Sequence, residues 1–149
     1  PAYMQHEERY LRPLLYLSRK LKKLYERECA RAAEPFGLSQ GEADVLLFLS
    51  NNPGFDTAMD VVKYRSVSKA LVSKAVESLS ARGYLTLHTD RRDRRYTHLV
   101  LTEAAAPALR VLHGAQEAFL ALLGGMTTPG ERAVISAVFE RLCEKLETV

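Results

Sequence analysis

The chain has 149 residues, of which 47% are hydrophobic and 26% charged, and its formal net charge is +3. That size and balance fit one domain with a genuine core and exclude a disordered or fibrous chain. The longest compact apolar run, VLLFL at 45–49, is far short of the ~18 residues a membrane span needs.

The opening residues are polar and charged, without the apolar core of a secretory leader, and a cytoplasmic protein is expected. Cys29 and Cys143 lie far apart with no metal-type spacing, which suits a reducing compartment. The positive charge is concentrated. Residues 63–95 carry nine Lys or Arg against three Asp or Glu, while both flanks are slightly acidic. A basic block on an otherwise balanced chain points to a polyanion, with nucleic acid the leading candidate.

In chain order, a first helix is expected over roughly 5–33, with apolar residues at Tyr10, Leu14, Leu17, Leu21 and Leu24. Pro13 either starts its regular part or kinks it, and AEPFG at 33–37 ends it. SQGE at 39–42 reads as a capping box opening a short apolar helix to about Ser50, stopped by NNPG. Another short helix is expected from Thr57 to Tyr64. SVSKALVSKAVESLSARG, 66–83, predicts a third, with Ser66 or Ser68 as N-cap, Gly83 past its end and a buried stripe of Leu71, Val72, Ala75, Val76 and Leu79. Lys69, Ala70, Ser73 and Lys74 are left facing outward, a face without bulk that a polyanion can approach closely.

After Gly83 the period changes to two. Pairing Leu87 with Leu99 puts the leucines on one face of a hairpin whose tip is DRRDRR, 90–95. Helix, short helix, capped basic helix and basic hairpin is the order of a winged helix-turn-helix, whose second helix enters the major groove while the wing reaches the minor groove. Lys69 and Ser73 are then candidates for base edges, and Lys63, Arg65 and Lys74 for phosphates. Ser66 and Ser68 lie at the helix entry, Arg91, Arg92 and Arg94 on the wing, and Asp93 fixes the tip by pairing with Arg95. The rest is helical: one helix from near Thr102 to the GGM break at 124–126, then TPGE at 128–131 as a second capping box for Val134, Ile135, Val138, Phe139, Leu142 and Leu146. The first helix and the last two have more apolar surface than a winged-helix core can cover, and a second copy of the chain is the simplest partner for it. The expected fold is mainly α with a small β-hairpin wing: a winged helix-turn-helix over about 36–102 and a helical dimerisation region over about 1–35 and 103–149.

DRRDRRYTHLVLTE resembles the wing motif of the MarR family (multiple antibiotic resistance regulators), and LVSKAVESLSARGYL, 71–85, is similar to its recognition-helix signature. The resemblance spans nearly the whole chain. It implies a homodimeric DNA-binding transcription regulator, usually a repressor, that binds a pseudo-palindromic operator and is released by a small ligand, commonly an aromatic anion. It also implies a DNA-facing set of Lys69, Ala70, Ser73 and Lys74, with Asp93 and Arg95 as the structural and contacting pair of the wing. Lys74 stands where the family often has arginine, Arg65 at a turn position that is often apolar, and Ala105 where a glycine is frequent.

Other readings compete with parts of this one. Tyr10, Tyr16 and Tyr25 could line a ligand site on the first helix, or simply pack. Redox sensing would act through Cys29 or Cys143; Cys29 lies near the C-terminal end of its helix, where the dipole does not favour a thiolate. His88 and His98 should face each other across the hairpin, but a third ligand is not visible, and neither metal nor cofactor is expected. No phosphate loop, nucleophile elbow or HExxH motif suggests an enzyme. A winged helix used for protein contact alone would leave the basic block unexplained.

Overall fold

The computed structural model describes residues 2–149, with side chains from Glu8 onward. Six helices and one hairpin follow in order: α1 (Ala2–Ala33), α2 (Gln40–Asn51), α3 (Ala58–Arg65), α4 (Lys69–Ala81), β1 (Leu85–Thr89), β2 (Thr97–Leu101), α5 (Ala106–Gly124) and α6 (Pro129–Leu146). Among the described residues no helix is long and apolar enough to cross a membrane. The chain divides into two compact units, one ending at Gln116 and the other running from Glu117 to Val149.

The helix starts follow from side chains that satisfy first-turn amides. Ser39 Oγ accepts from Glu42 N at 3.2 Å while Ser39 N donates to Glu42 Oε1 at 3.0 Å. Thr57 and Asp60 repeat this reciprocal cap before α3, and Thr128 and Glu131 before α6. Ser68, rather than Ser66, caps α4 by accepting from Leu71 N at 3.2 Å. Ser66 instead turns the chain between α3 and α4, with a left-handed φ of 53°. At the far end of α4, Gly83 at φ 78° turns the chain into β1, a backbone geometry that costs other residues energy.

The core of the first unit is built from α2, α4 and the end of α1, closed by the base of the hairpin. Leu46, Leu47, Val61, Val72, Leu79, Leu85 and Leu112 are fully buried. Each is worth about 1.5–3 kcal/mol of transfer free energy, more than an exposed ion pair typically contributes. The hairpin is antiparallel with Leu87 opposite Leu99 and His88 opposite His98, the register expected from alternation. Leu85 and Leu99 are buried while Leu87 is 47% exposed, so the strands leave the core halfway along their length.

Three expectations need correction. Leu71 is 56% exposed and stands outside the buried stripe, which consists of Val72, Ala75, Val76 and Leu79. Pro13 lies inside α1, which is already helical before it. The last third starts with a short 3-10 turn, Glu103–Ala105, and α5 proper begins at Ala106 with Pro107 in its first turn, where a missing N–H costs nothing.

In the second unit, α6 leaves Val134, Ile135, Phe139, Leu142 and Leu146 between 42% and 63% exposed. On α1, Tyr10, Leu11, Leu14, Leu15, Tyr16 and Leu17 are likewise all more than half exposed. Exposed apolar faces of this kind mark interaction sites.

Candidate nucleic-acid interface

α4 is amphipathic for a local reason. Val72, Ala75, Val76 and Leu79, spaced by three and four, face the core against α2, which leaves Lys69, Ala70, Ser73 and Lys74 in solvent. The N-terminal end of α4 carries the positive end of the helix dipole, and no acidic residue occupies its first turn. Ammonium groups, a methyl and a hydroxyl therefore line an open face with room for a bulky polyanion.

The residues leading into α4 are arranged differently from one another. Lys63 stands over the Tyr64 ring at 4.8 Å from its centroid. Tyr64 in turn packs edge-on against Phe55, with centroids 5.3 Å apart. Arg65 is half-buried and lines a cleft of about 850 Å³ between α1, α2 and α4. Lys22, Tyr25, Asp44, Leu71 and Lys74 line the same cleft, and this is where the exposed Leu71 points its apolar surface. Burial pushes the Asp44 carboxyl above its ordinary value, with Gln40 and Arg65 opposing. Tyr25 Oη accepts from Gln116 Nε2 at 2.7 Å, and burial raises the phenol.

The wing tip is a preorganised turn. Asp90 Oδ1 accepts from Arg92 N and from Asp93 N, both at 2.8 Å, and Asp90 N donates to Tyr96 O at 2.9 Å. His98 and those two turn amides hold the Asp90 carboxyl down to about 2. Asp93 then grips Arg95: Nη2 donates to Oδ2 at 2.7 Å and Nε donates to Oδ1 at 3.0 Å. The guanidinium keeps the Asp93 carboxyl below its ordinary value. Arg91, Arg92 and Arg94 are exposed and make no ion pair among the described residues. One arginine of the four is thus held in place and three reach outward.

Three residues that the sequence did not assign to the interface support this geometry. Glu42 accepts from Ser78 Oγ at 3.0 Å and from Arg82 Nη1 at 3.4 Å, which ties α2 to the end of α4. Arg82 also donates to the carbonyls of Phe36 and Gly37 and lies over the Tyr84 ring, 5.1 Å from its centroid. Asp56 accepts from Leu99 N through its carbonyl at 2.8 Å, a backbone link from the start of α3 to β2. Glu42 was legible as a cap, but its partners lie 36 and 40 residues away, where no periodicity reaches.

His88 and His98 are opposite in register, yet their rings have different partners. His88 Nε2 contacts Thr86 Oγ1 at 3.0 Å, whereas His98 sits between Asp56 and Asp90. Among the described residues no cluster of His, Cys, Asp and Glu is set to hold a metal ion. Cys29 is wholly buried, and burial pushes its thiol up, away from the exposed thiolate that a redox sensor requires.

Residues 36–95, the segment from the end of α1 to the wing tip, match the model of the MarR family. No curated protein matches the chain. Among solved structures, a MarR family transcriptional regulator from Silicibacter pomeroyi superposes with a TM-score of 0.76 at 22% identity, over 87% of this chain and 86% of that one. BpsR from Bordetella bronchiseptica, whose DNA binding is regulated by 6-hydroxynicotinic acid, gives 0.65 at 23% identity, over 86% and 91%. MepR from S. aureus, in complex with DNA, gives 0.69 at 17% identity, over 90% and 96%.

Proposed function

We propose, from the premise that the chain belongs to the MarR family, that it is a homodimeric, sequence-specific DNA-binding transcription regulator acting as a repressor. The observation that carries this reading is the coincidence of the basic block with two exposed elements of one unit: the outward face of α4 and the three outward arginines of the wing. α4 enters the major groove, where Lys69 and Ser73 reach base edges and Ala70 permits close approach. Ser66 and Ser68 lie at the helix entry, with Lys63, Arg65 and Lys74 on flanking phosphates. Arg91, Arg92 and Arg94 probe the minor groove, and Arg95, oriented by Asp93, contacts the backbone beside it. The similar fold of MepR, solved in complex with DNA, supports this use of the fold.

Two finer features complete the proposal. The exposed apolar faces of α1 and α6 are the dimer contact, which spaces two winged helices for a pseudo-palindromic operator. The cleft beside α4 receives a small aromatic ligand, for which the ligand-regulated relative BpsR is support. A ligand there touches Leu71 and Lys74 of the DNA-facing helix itself, so its differential affinity for the free and bound helix positions releases the operator.

The test is a fluorescence-anisotropy titration against the DNA upstream of the protein's own gene, beside a scrambled duplex, at two salt concentrations. Tight, salt-sensitive preference for the native duplex is expected, with log K falling by about 0.9 per log unit of salt for each phosphate neutralised. Equal, weak binding to both duplexes would remove the sequence-specific reading, and no binding at low salt would remove the nucleic acid altogether.

A further inference from the structure

His98 joins the wing to the helix-turn-helix. Its Nδ1 lies 2.7 Å from Asp56 Oδ1, on the lead-in to α3, and its Nε2 lies 2.7 Å from Asp90 Oδ2, at the wing turn. The neighbouring residue repeats the link through the backbone, since Leu99 N donates to Asp56 O. Asp90 passes the connection on, because its other oxygen accepts from the amides of Arg92 and Asp93, and Asp93 holds Arg95. One chain of hydrogen bonds therefore runs from the start of α3 to the guanidinium at the wing tip.

The chemistry of the ring fixes its charge in this arrangement. A neutral imidazole has one N–H, so one of the two 2.7 Å contacts would press a nitrogen lone pair against a carboxylate oxygen. An imidazolium donates through both nitrogens. Asp56 first, and Asp90 second, raise the proton affinity of the ring above the ordinary histidine value. The other ionisable groups of the packed elements are Asp60 on α3, whose carboxylate is engaged by Thr57, with Lys63, Tyr64 and Arg65 further along the same helix, and His88 across the hairpin on β1. Arg91, Arg92, Asp93, Arg94, Arg95 and Tyr96 complete the set in the turn, and α2 carries Glu42 and Asp44.

We propose that His98 is a positioning residue that, as an imidazolium, clamps the wing to the start of α3, and that loss of its proton frees the wing. On the DNA-binding reading above, operator affinity then falls as pH rises through the titration of the ring. The sign follows from linkage: the clamp is complete at acid pH, where the ring is charged in any case, and is lost as pH climbs past its raised folded value.

The experiment is an NMR titration between about pH 6 and 9 that follows the His98 ring and the Arg92, Asp93 and Leu99 amides, with duplex anisotropy over the same range. It uses the full chain, His98→Arg and Asp56→Asn. The His98 ring should titrate above the ordinary histidine range and drop in Asp56→Asn, the three amides should shift with the same midpoint, and duplex affinity should fall several-fold across it. His98→Arg, whose charge and donors persist, should bind the duplex with no step in this window. A His98 ring titrating in the ordinary range, or wing amides that ignore it, would overturn the proposal even with DNA bound. Amides that follow the ring in a protein that binds no duplex at any pH would leave the clamp standing and remove the DNA reading instead.

Discussion

Arg95 folds back on Asp93, with Nη2 donating to Oδ2 at 2.7 Å and the backbone N of Arg95 donating to Oδ1 at 3.1 Å. The pair is exposed and adds little to fold stability, since solvent screens it. Its effect is directional: it removes one arginine from free motion and fixes where the other three leave the turn. Alanine at Arg94 or Arg95 should weaken operator binding more than any alanine in 130–149. Replacing Arg91, Arg92 and Arg94 together should flatten the salt dependence by up to about 0.9 in slope per lost phosphate contact. Intact binding in the quadruple 91/92/94/95 alanine variant would show that the wing is not a DNA contact.

On the proposed function, α4 divides its exposed residues between sequence readout and affinity. Lys69→Ala should cost about 1–3 kcal/mol against the operator and narrow the gap to a scrambled duplex, as expected for a base-edge contact. Lys74→Ala should weaken both duplexes alike and lower the salt slope by about 1. Ala70→Glu brings a carboxylate to the same surface and should abolish binding, while its exposed position leaves the melting temperature nearly unchanged. Equal effects of Lys69→Ala on both duplexes would move Lys69 to the phosphate set.

The parts legible in the sequence are those governed by local rules. Ser39 with Glu42, and Thr128 with Glu131, announce their helices because a cap is a contact across three residues. The hairpin register follows from alternating leucines, since a slip by one residue would turn Leu85 and Leu99 out of the core. Leu71 was misread because periodicity gives the spacing of an apolar stripe but not its edges. One position before Val72 it turns about 100° off the buried face, into the cleft. Asp56 and His98 are separated by 42 positions, and a carboxylate in a loop carries no mark of the ring that folding brings to it. The four arginines were plain in DRRDRR. That one is held and three reach out depends on the turn, which the composition of the segment does not encode.

Glu42 is buried to 7% exposure and serves two structures at once, the cap of α2 and the tie to Arg82 and Ser78 on α4. Glu42→Ala removes the cap and strands Arg82, and should cost about 2–4 kcal/mol, read as a lower urea midpoint at unchanged slope. Burial alone would raise this carboxyl, yet the hydrogen bonds of Ser39 and Ser78, with Arg82, hold it below its ordinary value. The folded state thus releases the proton more readily than the unfolded one. Its contribution is present above the unfolded glutamate value of about 4.3 and is lost as pH falls through the folded one. Glu42→Gln should show a shallower loss of stability in that acid window, and an unchanged acid limb would assign the pH dependence to other carboxylates.

Phe139 on α6 is 60% exposed, and Leu142 and Leu146 on the same helix are 48% and 62% exposed. Burying one such side chain against a second copy contributes about 1.5–3 kcal/mol, so a handful outweigh the entropy lost on association. A charge among them reverses that sign, because a carboxylate moved out of water is penalised unless it finds a partner. Phe139→Asp should therefore weaken the dimer by about 2 kcal/mol or more, roughly 30-fold, and light scattering after size exclusion should report the mass of one chain at micromolar concentration. Met59→Lys, an equally exposed apolar position on α3, should leave the mass unchanged. Operator affinity should fall with the dimer in Phe139→Asp, because each winged helix then binds its half-site alone and the avidity of the linked pair is gone. A Phe139→Asp protein that keeps the mass of two chains would move the dimer contact away from α6.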